Sequence, residues 1–262
     1  MIISTNVPGS GLLPRHPPGT RLLAAIDVEW SKNYRIRGGN VPFCYSVVWL
    51  ALPDDDASTG LLEAARFWYT SAYVQDASEV ADLVAGADAA LACLMGHASL
   101  IAGHQLCSDL GVLAGADPAA RPAVVAAATA WRQRREASPS QPRFLDTRYD
   151  AGHLLACQSR RLVDVCADLR LDVTQPELRG TSMTALHRRW LQDGDVAARE
   201  KITVLNLRHS LSTALVAARA AGLAHWRPGL NVNRLLAREL GDAIGWLAHP
   251  VFTALLGESN AA

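Results

Sequence analysis

Lysine is nearly absent from this chain: only Lys32 and Lys201 occur, against 23 arginines. With so much alanine alongside, that bias reads as a GC-rich coding preference more than as arginine chosen for phosphate forks. Net charge is missing too, since 25 basic residues balance 25 acidic ones, and no global field argues for a polyanionic partner. No CxxC pair occurs among Cys44, Cys93, Cys107, Cys157 and Cys166. The odd count and the spacing read as buried free thiols in a reducing cytoplasm, not as a disulfide framework or a cysteine zinc site. No apolar run reaches the roughly 20 residues of a membrane span, so no membrane partner is expected. Met1 to Thr20 lacks the basic stretch and apolar stretch of a signal peptide and reads as a flexible leader.

What is present is a globular composition, with 50% hydrophobic and 19% charged residues over 262 positions, enough for a sizeable core. Charge is unevenly spread. Between Pro53 and Ala90, eight acids against one arginine give −7, and between Ala119 and Arg170, nine arginines against five acids give +4. The basic segment is a weak hint of an anionic partner.

Periodicity divides the chain further. Arg21 to Val28, Val41 to Leu52 and Arg66 to Val74 have strand composition and suggest an antiparallel meander. A turn-rich stretch, Ser31 to Asn40, joins the first two. Asp76 and Glu79 form a capping box before a helix running to about His97. A short strand follows at Ser99 to Gly103, then helices at Gln105 to Leu113 and Ala119 to Glu136, a linker at Ala137 to Pro142, and a strand at Phe144 to Thr147. Beyond it the pattern is helical, over Tyr149–Cys157, Leu162–Leu169, Met183–Leu191, Asp195–Ala221, Asn233–Leu247 and Pro250–Leu256. This order predicts an α/β fold with a mixed sheet.

Two carboxylates, Asp27 and Glu29, close the first strand two residues apart, so both project from one face. Such a pair is either an exposed strand end or a cation site, because the charges repel without a counter-ion. The second signal is Leu100-Ile101-Ala102-Gly103-His104-Gln105 through Asp109, a strand ending in Gly-His and a helix that presents an acid one turn in.

Taken together, these residues resemble the DEDD-type, DnaQ-like 3′–5′ exonuclease superfamily. Its Asp-x-Glu motif is matched by Asp27-Val28-Glu29, and its Gly-His-Asn-x3-Asp motif by Gly103-His104-Gln105 to Asp109, with Gln in place of Asn. Its later apolar-Asp-Thr strand is matched by Leu145-Asp146-Thr147, and Arg161 to Leu171 resembles the short helix that comes next. The resemblance spans about 21–222, with 119–142 as an inserted helix and linker and 223–262 as a C-terminal helical extension. It implies a ribonuclease H-like mixed sheet of about five strands flanked by helices. It also implies two Mg²⁺ or Mn²⁺ ions held by Asp27, Glu29 and Asp109, hydrolysis at single-stranded DNA or RNA 3′ ends, and His209 as general base.

The third motif, His-x4-Asp, departs from the pattern. One register puts Arg208 on the histidine and Thr213 on the acid; the other puts His209 on the histidine and Ala214 on the acid. Neither supplies a carboxylate, and Asp146, Asp195 and Glu200 are the candidate substitutes. His209 has a second reading as a locally bonded helix residue. Trp30, His104 and Arg208 are the candidate substrate contacts, with core packing the alternative for Trp30. Arg132, Arg134 and Arg135 beside Trp131 either track phosphates or form a solvated helix end. Trp226, Trp246 and Phe252 pack the C-terminal helices onto the domain or onto a second copy as a homodimer.

Three functions remain open on the sequence. They are the exonuclease, a catalytically impaired relative that binds nucleic acid or a partner protein, and a hydrolase of nucleotides or other small phosphoesters.

Overall fold

The computed structural model describes residues 1–31, 39–54, 60–62, 66–117, 121–137 and 143–257. Most of the expected turn before Val41 and most of the expected 137–142 linker lie outside the described residues.

Six strands form the main sheet: β1 (Ile2–Thr5), β2 (Thr20–Ser31), β3 (Val41–Pro53), β4 (Phe67–Tyr73), β5 (Leu100–Gly103) and β6 (Arg143–Asp146), in the order β1-β4-β3-β2-β5-β6. β2, β3 and β4 are the expected antiparallel meander, while β5 and β6 join β2 in parallel. The result is an α/β fold with a mixed sheet, consistent with a ribonuclease H-like architecture. The expected leader is corrected at its start. Ile2–Thr5 adds an antiparallel edge strand to β4, and Val7 is buried. The short alternating run is what pairs there, and its length kept it from standing out as a strand.

Alternation along β2 sorts its side chains between two cores. Leu22, Ala24, Ile26 and Val28 face α1 (Val80–His97), α2 (Leu106–Ala116) and α3 (Pro122–Arg132). Leu23 and Ala25 face α4 (Leu162–Asp168), α6 (Val196–Ala220) and α7 (Val232–Leu240). Asp27 and Glu29 continue the second series and therefore point toward α6. α5 (Met183–Asp193) packs beside α6, contributing Leu186 to the first core.

α6 is buried on most sides because it lies between the sheet, α5 and the C-terminal elements, and its interior faces carry polar Asn206, Arg208, Ser210, Ser212 and Thr213 among apolar residues. By length and composition, Ala77–His97 is long and apolar enough to cross a membrane, with a mean hydropathy of 1.3. Leu83, Val84, Ala87, Leu91 and Leu94 of that segment are spent on the core against β3, α2 and α3.

Some helices are shorter than their periodicity predicts. The helix expected over Tyr149–Cys157 is a single 3-10 turn, Gly152–Leu154. Side chains take over the backbone donors nearby: Asp168 accepts from Ala156 N (2.7 Å) and Cys157 N (3.1 Å). The helix expected over Asn233–Leu247 ends at Leu240, where Gly241 turns to φ 52°. Trp226, Trp246 and Phe252 are all buried in the same core as α6, so the C-terminal segment completes this domain's own interior.

Candidate metal centre at the end of strand β2

β2 outruns its parallel neighbour. Pairing with β5 stops at Ala25↔Ala102, while pairing with β3 continues through Asp27↔Ser46 and Glu29↔Cys44. The two carboxylates therefore stand beside a gap at the carboxyl ends of parallel strands, where open α/β sheets form their crevices. A bulge between Glu29 and Trp30 then breaks the alternation. Trp30 keeps part of its surface exposed next to Glu29.

α6 supplies the opposite wall. Nδ1 of His209 lies 3.3 Å from Glu29 Oε1 and 3.6 Å from Asp27 Oδ2. Asn206, three residues earlier on the same helix face, donates to Asp27 Oδ2 at 2.7 Å and to the Asp27 carbonyl at 3.2 Å. Asp27, Glu29 and His209 each offer one ligand atom within 4.8 Å of the others, a group able to hold a metal ion. Burial alone would lower the His209 pKa, but the two carboxylates outweigh it and raise it from 6.5 to about 10. Glu29 is raised, by burial first and by the charge of Asp27, against the opposing pull of His209.

Asp109 faces this cluster from α2 without joining it. It is 4% exposed, and burial followed by the charges of Asp27 and Glu29 holds its carboxyl well above the usual range. Its Oδ2 has no hydrogen-bond partner among the described residues. A buried carboxylate oxygen with no donor is costly, and a cation is one partner that would satisfy it.

The helix carrying Asp109 is set by Gly103 and Asp146. A Cβ at Gly103 would stand 2.5 Å from Leu106 Cβ, so only glycine lets β5 turn this closely into α2. Asp146 accepts from Gln105 N (2.9 Å), Leu106 N (3.0 Å), Arg148 N (3.0 Å) and Trp131 Nε1 (3.1 Å). Its oxygens are thus consumed in anchoring the α2 N-terminus.

The other substitutes for a fourth carboxylate are placed elsewhere. Asp195 caps α6 through Ala198 N and pairs with Arg189, while Glu200 accepts from Trp246 N at 2.8 Å. Thr213 and Ala214 are both buried, Ala214 in the apolar core.

Three other sequence candidates have structural roles. Arg208 is a correction: it is fully buried, bonds both Glu177 oxygens at 2.7 Å, and cannot reach a substrate. Being one residue from His209, it leaves the helix about 100° away from the site. His104 is braced by Thr147 Oγ1 at 2.9 Å and by the Arg160 backbone; burial lowers it to about 4, so it stays neutral. Arg134 is committed to Asp150 (2.7 Å) and stacks 4.4 Å from the Trp131 ring centre.

Sequence reasoning missed Asn206, Gln175 and Glu177. Asn206 was legible from its helical spacing to His209. Gln175 Nε2 lies 3.1 Å from His209 Nε2 across 34 positions of chain, a separation that carries no sequence signal.

Fold and site together define an α/β protein whose inner strand ends in a carboxylate–imidazole cluster. Neither the family models nor the curated proteins compared with this chain match it.

Proposed function

We propose that the protein is a metal-dependent phosphodiester hydrolase acting on single-stranded DNA or RNA 3′ ends, a member by resemblance of the DnaQ-like exonucleases. The observation that carries this reading is the convergence of Asp27, Glu29 and His209 within 4.8 Å, faced by the unpartnered Oδ2 of Asp109. Asp27 and Glu29 would hold a divalent ion such as Mg²⁺ or Mn²⁺ through oxygen, and His209 through Nδ1. A bound ion supplies positive charge that polarises a phosphoryl oxygen and acidifies a water. The donors support one ion. A second would draw on Asp109 and a further carboxylate, and Asp146, Asp195 and Glu200 are all engaged elsewhere.

The protein's own groups divide the remaining work. Asn206 fixes the Asp27 carboxylate, leaving its orientation independent of a ligand. His209 holds both carboxylates on one ring edge and meets Gln175 on the other, so neither ring nitrogen is turned to a water. That arrangement fits a ligand better than the general base the resemblance implies. Trp30, partly exposed beside Glu29, would stack on a terminal base. The five free cysteines suit a cytoplasmic setting for this activity.

The test is release of mononucleotides from end-labelled single strands in Mn²⁺, comparing the native protein with Asp27→Ala. Release by the native protein alone is expected; no release, or equal release by both, refutes the proposal. A second reading, a relative that binds strands without cutting them, is favoured by the commitment of every substitute carboxylate. It predicts strand binding with no release.

A further inference from the structure

The segment 173–182, which carries Gln175, has no helix or strand of its own. It is nevertheless pinned in the interior by four bonds. Arg208 Nη1 and Nη2 each reach a Glu177 oxygen at 2.7 Å, Trp246 Nε1 donates to Glu177 Oε1 at 3.1 Å, and Asn233 Nδ2 donates to the Thr174 carbonyl at 3.2 Å. Arg208 Nε closes the network on Asn233 Oδ1 at 2.8 Å. Arg208, Glu177 and Asn233 are at most 2% exposed and Trp246 is 5% exposed.

A buried ion pair of this kind is weak evidence of stability, because apolar residues of equal volume often serve as well. What it does specify is where the segment lies, and so where Gln175 meets His209. Ligating imidazoles donate their second ring N–H to an acceptor that holds the ring, and loss of that acceptor commonly costs 10- to 100-fold in metal affinity. Gln175 meets Nε2 with its amide nitrogen, so it serves a ligating ring once the amide turns over to present Oε1.

We propose that Gln175 is a positioning residue for His209, seated by the buried Arg208–Glu177–Asn233–Trp246 network, so that the C-terminal helices form part of the site. The proposal rests on the reading of Asp27, Glu29 and His209 as a metal centre. Gln175 is partly exposed, so removing its amide leaves the core intact.

Two measurements test it on the full chain. Calorimetric titration with Mn²⁺ alone is expected to show about tenfold weaker binding in Gln175→Ala, with an unchanged melting temperature, and recovery in Gln175→Glu, whose carboxylate supplies the acceptor that Oε1 of the turned amide offers to the ring N–H. Nitrogen-15 spectra of the metal-free protein are expected to show the His209 ring signals shifted and broadened in Gln175→Ala and restored in Gln175→Glu. Trp246→Phe keeps an aromatic side chain and deletes one bond to Glu177, and it is expected to move the same signals.

Unchanged ring signals in Gln175→Ala overturn the proposal, whatever happens to the melting temperature. Unchanged signals in Trp246→Phe overturn the part given to the C-terminal helices. If the native protein binds no Mn²⁺, the metal reading fails, and the ring spectra alone decide the role of Gln175.

Discussion

Replacing Arg208 with methionine should be among the most damaging single changes outside the apolar core. The side chain is 0% exposed and so is that of Glu177, its partner at 2.7 Å. Without the guanidinium, Glu177 keeps Trp246 Nε1 as its one donor among the described residues and becomes a buried carboxylate with no countercharge among them. Breaking such a pair costs about 3–5 kcal/mol, a large part of the roughly 5–15 kcal/mol that holds a domain folded. Asn233 Oδ1 also loses its donor, adding to the loss.

Urea unfolding followed by circular dichroism measures this directly. The companion Glu177→Leu and the double variant close a thermodynamic cycle. The double variant should cost less than the sum of the singles by about 1–3 kcal/mol, because removing both charges removes the uncompensated one. A loss below about 1 kcal/mol for Arg208→Met, the range of an exposed pair, would refute the reasoning, as would strict additivity in the cycle.

Other expectations follow from the same geometry. Gly103→Ala places a Cβ 2.5 Å from Leu106 Cβ; it should destabilise by about 1–3 kcal/mol through displacement of α2 and weaken Mn²⁺ binding with it, and a neutral result in both assays counts against the close turn. In the metal-free protein, His209 binds its proton more tightly when folded, its pKa rising from 6.5 to about 10. Its stabilising contribution is therefore complete below pH 6.5 and lost as pH rises from 6.5 through about 10. Urea-unfolding free energies should fall across that window, with a smaller slope in His209→Gln; equal slopes would contradict the placement of the ring. Mn²⁺ at 100 times its Kd should stabilise the native protein by about 2.7 kcal/mol and leave Asp27→Asn unaffected, read as a shift in melting temperature. Gln105 caps α2 at φ 64°, a region asparagine tolerates better, so Gln105→Asn should gain about 0.5–1 kcal/mol in urea unfolding.

The sheet and its meander were legible in the sequence because β2, β3 and β4 combine strand composition with clear turn signals. Asp27 and Glu29 were legible as one face of a strand, since period-two geometry needs only local sequence. Helix ends were less so. Leu240 and Tyr149–Cys157 turn on a glycine dihedral and on the carboxylate of Asp168, neither visible to periodicity. Arg208 misled for a related reason. A charged residue beside a candidate histidine invites a substrate role, and only the buried Glu177, 31 positions earlier, shows otherwise. Asp146 likewise looks like a ligand on paper, yet four donors fill its oxygens.

The ring of His209 in the cluster also bears on which ion would win the site. Carboxylate and water oxygens suit Mg²⁺, whereas imidazole nitrogen suits first-row transition ions. A centre built from two carboxylates and one imidazole would rank divalent ions differently from one built from carboxylates alone. Manganese or zinc would gain relative to magnesium, and such a centre would not show a strict magnesium requirement.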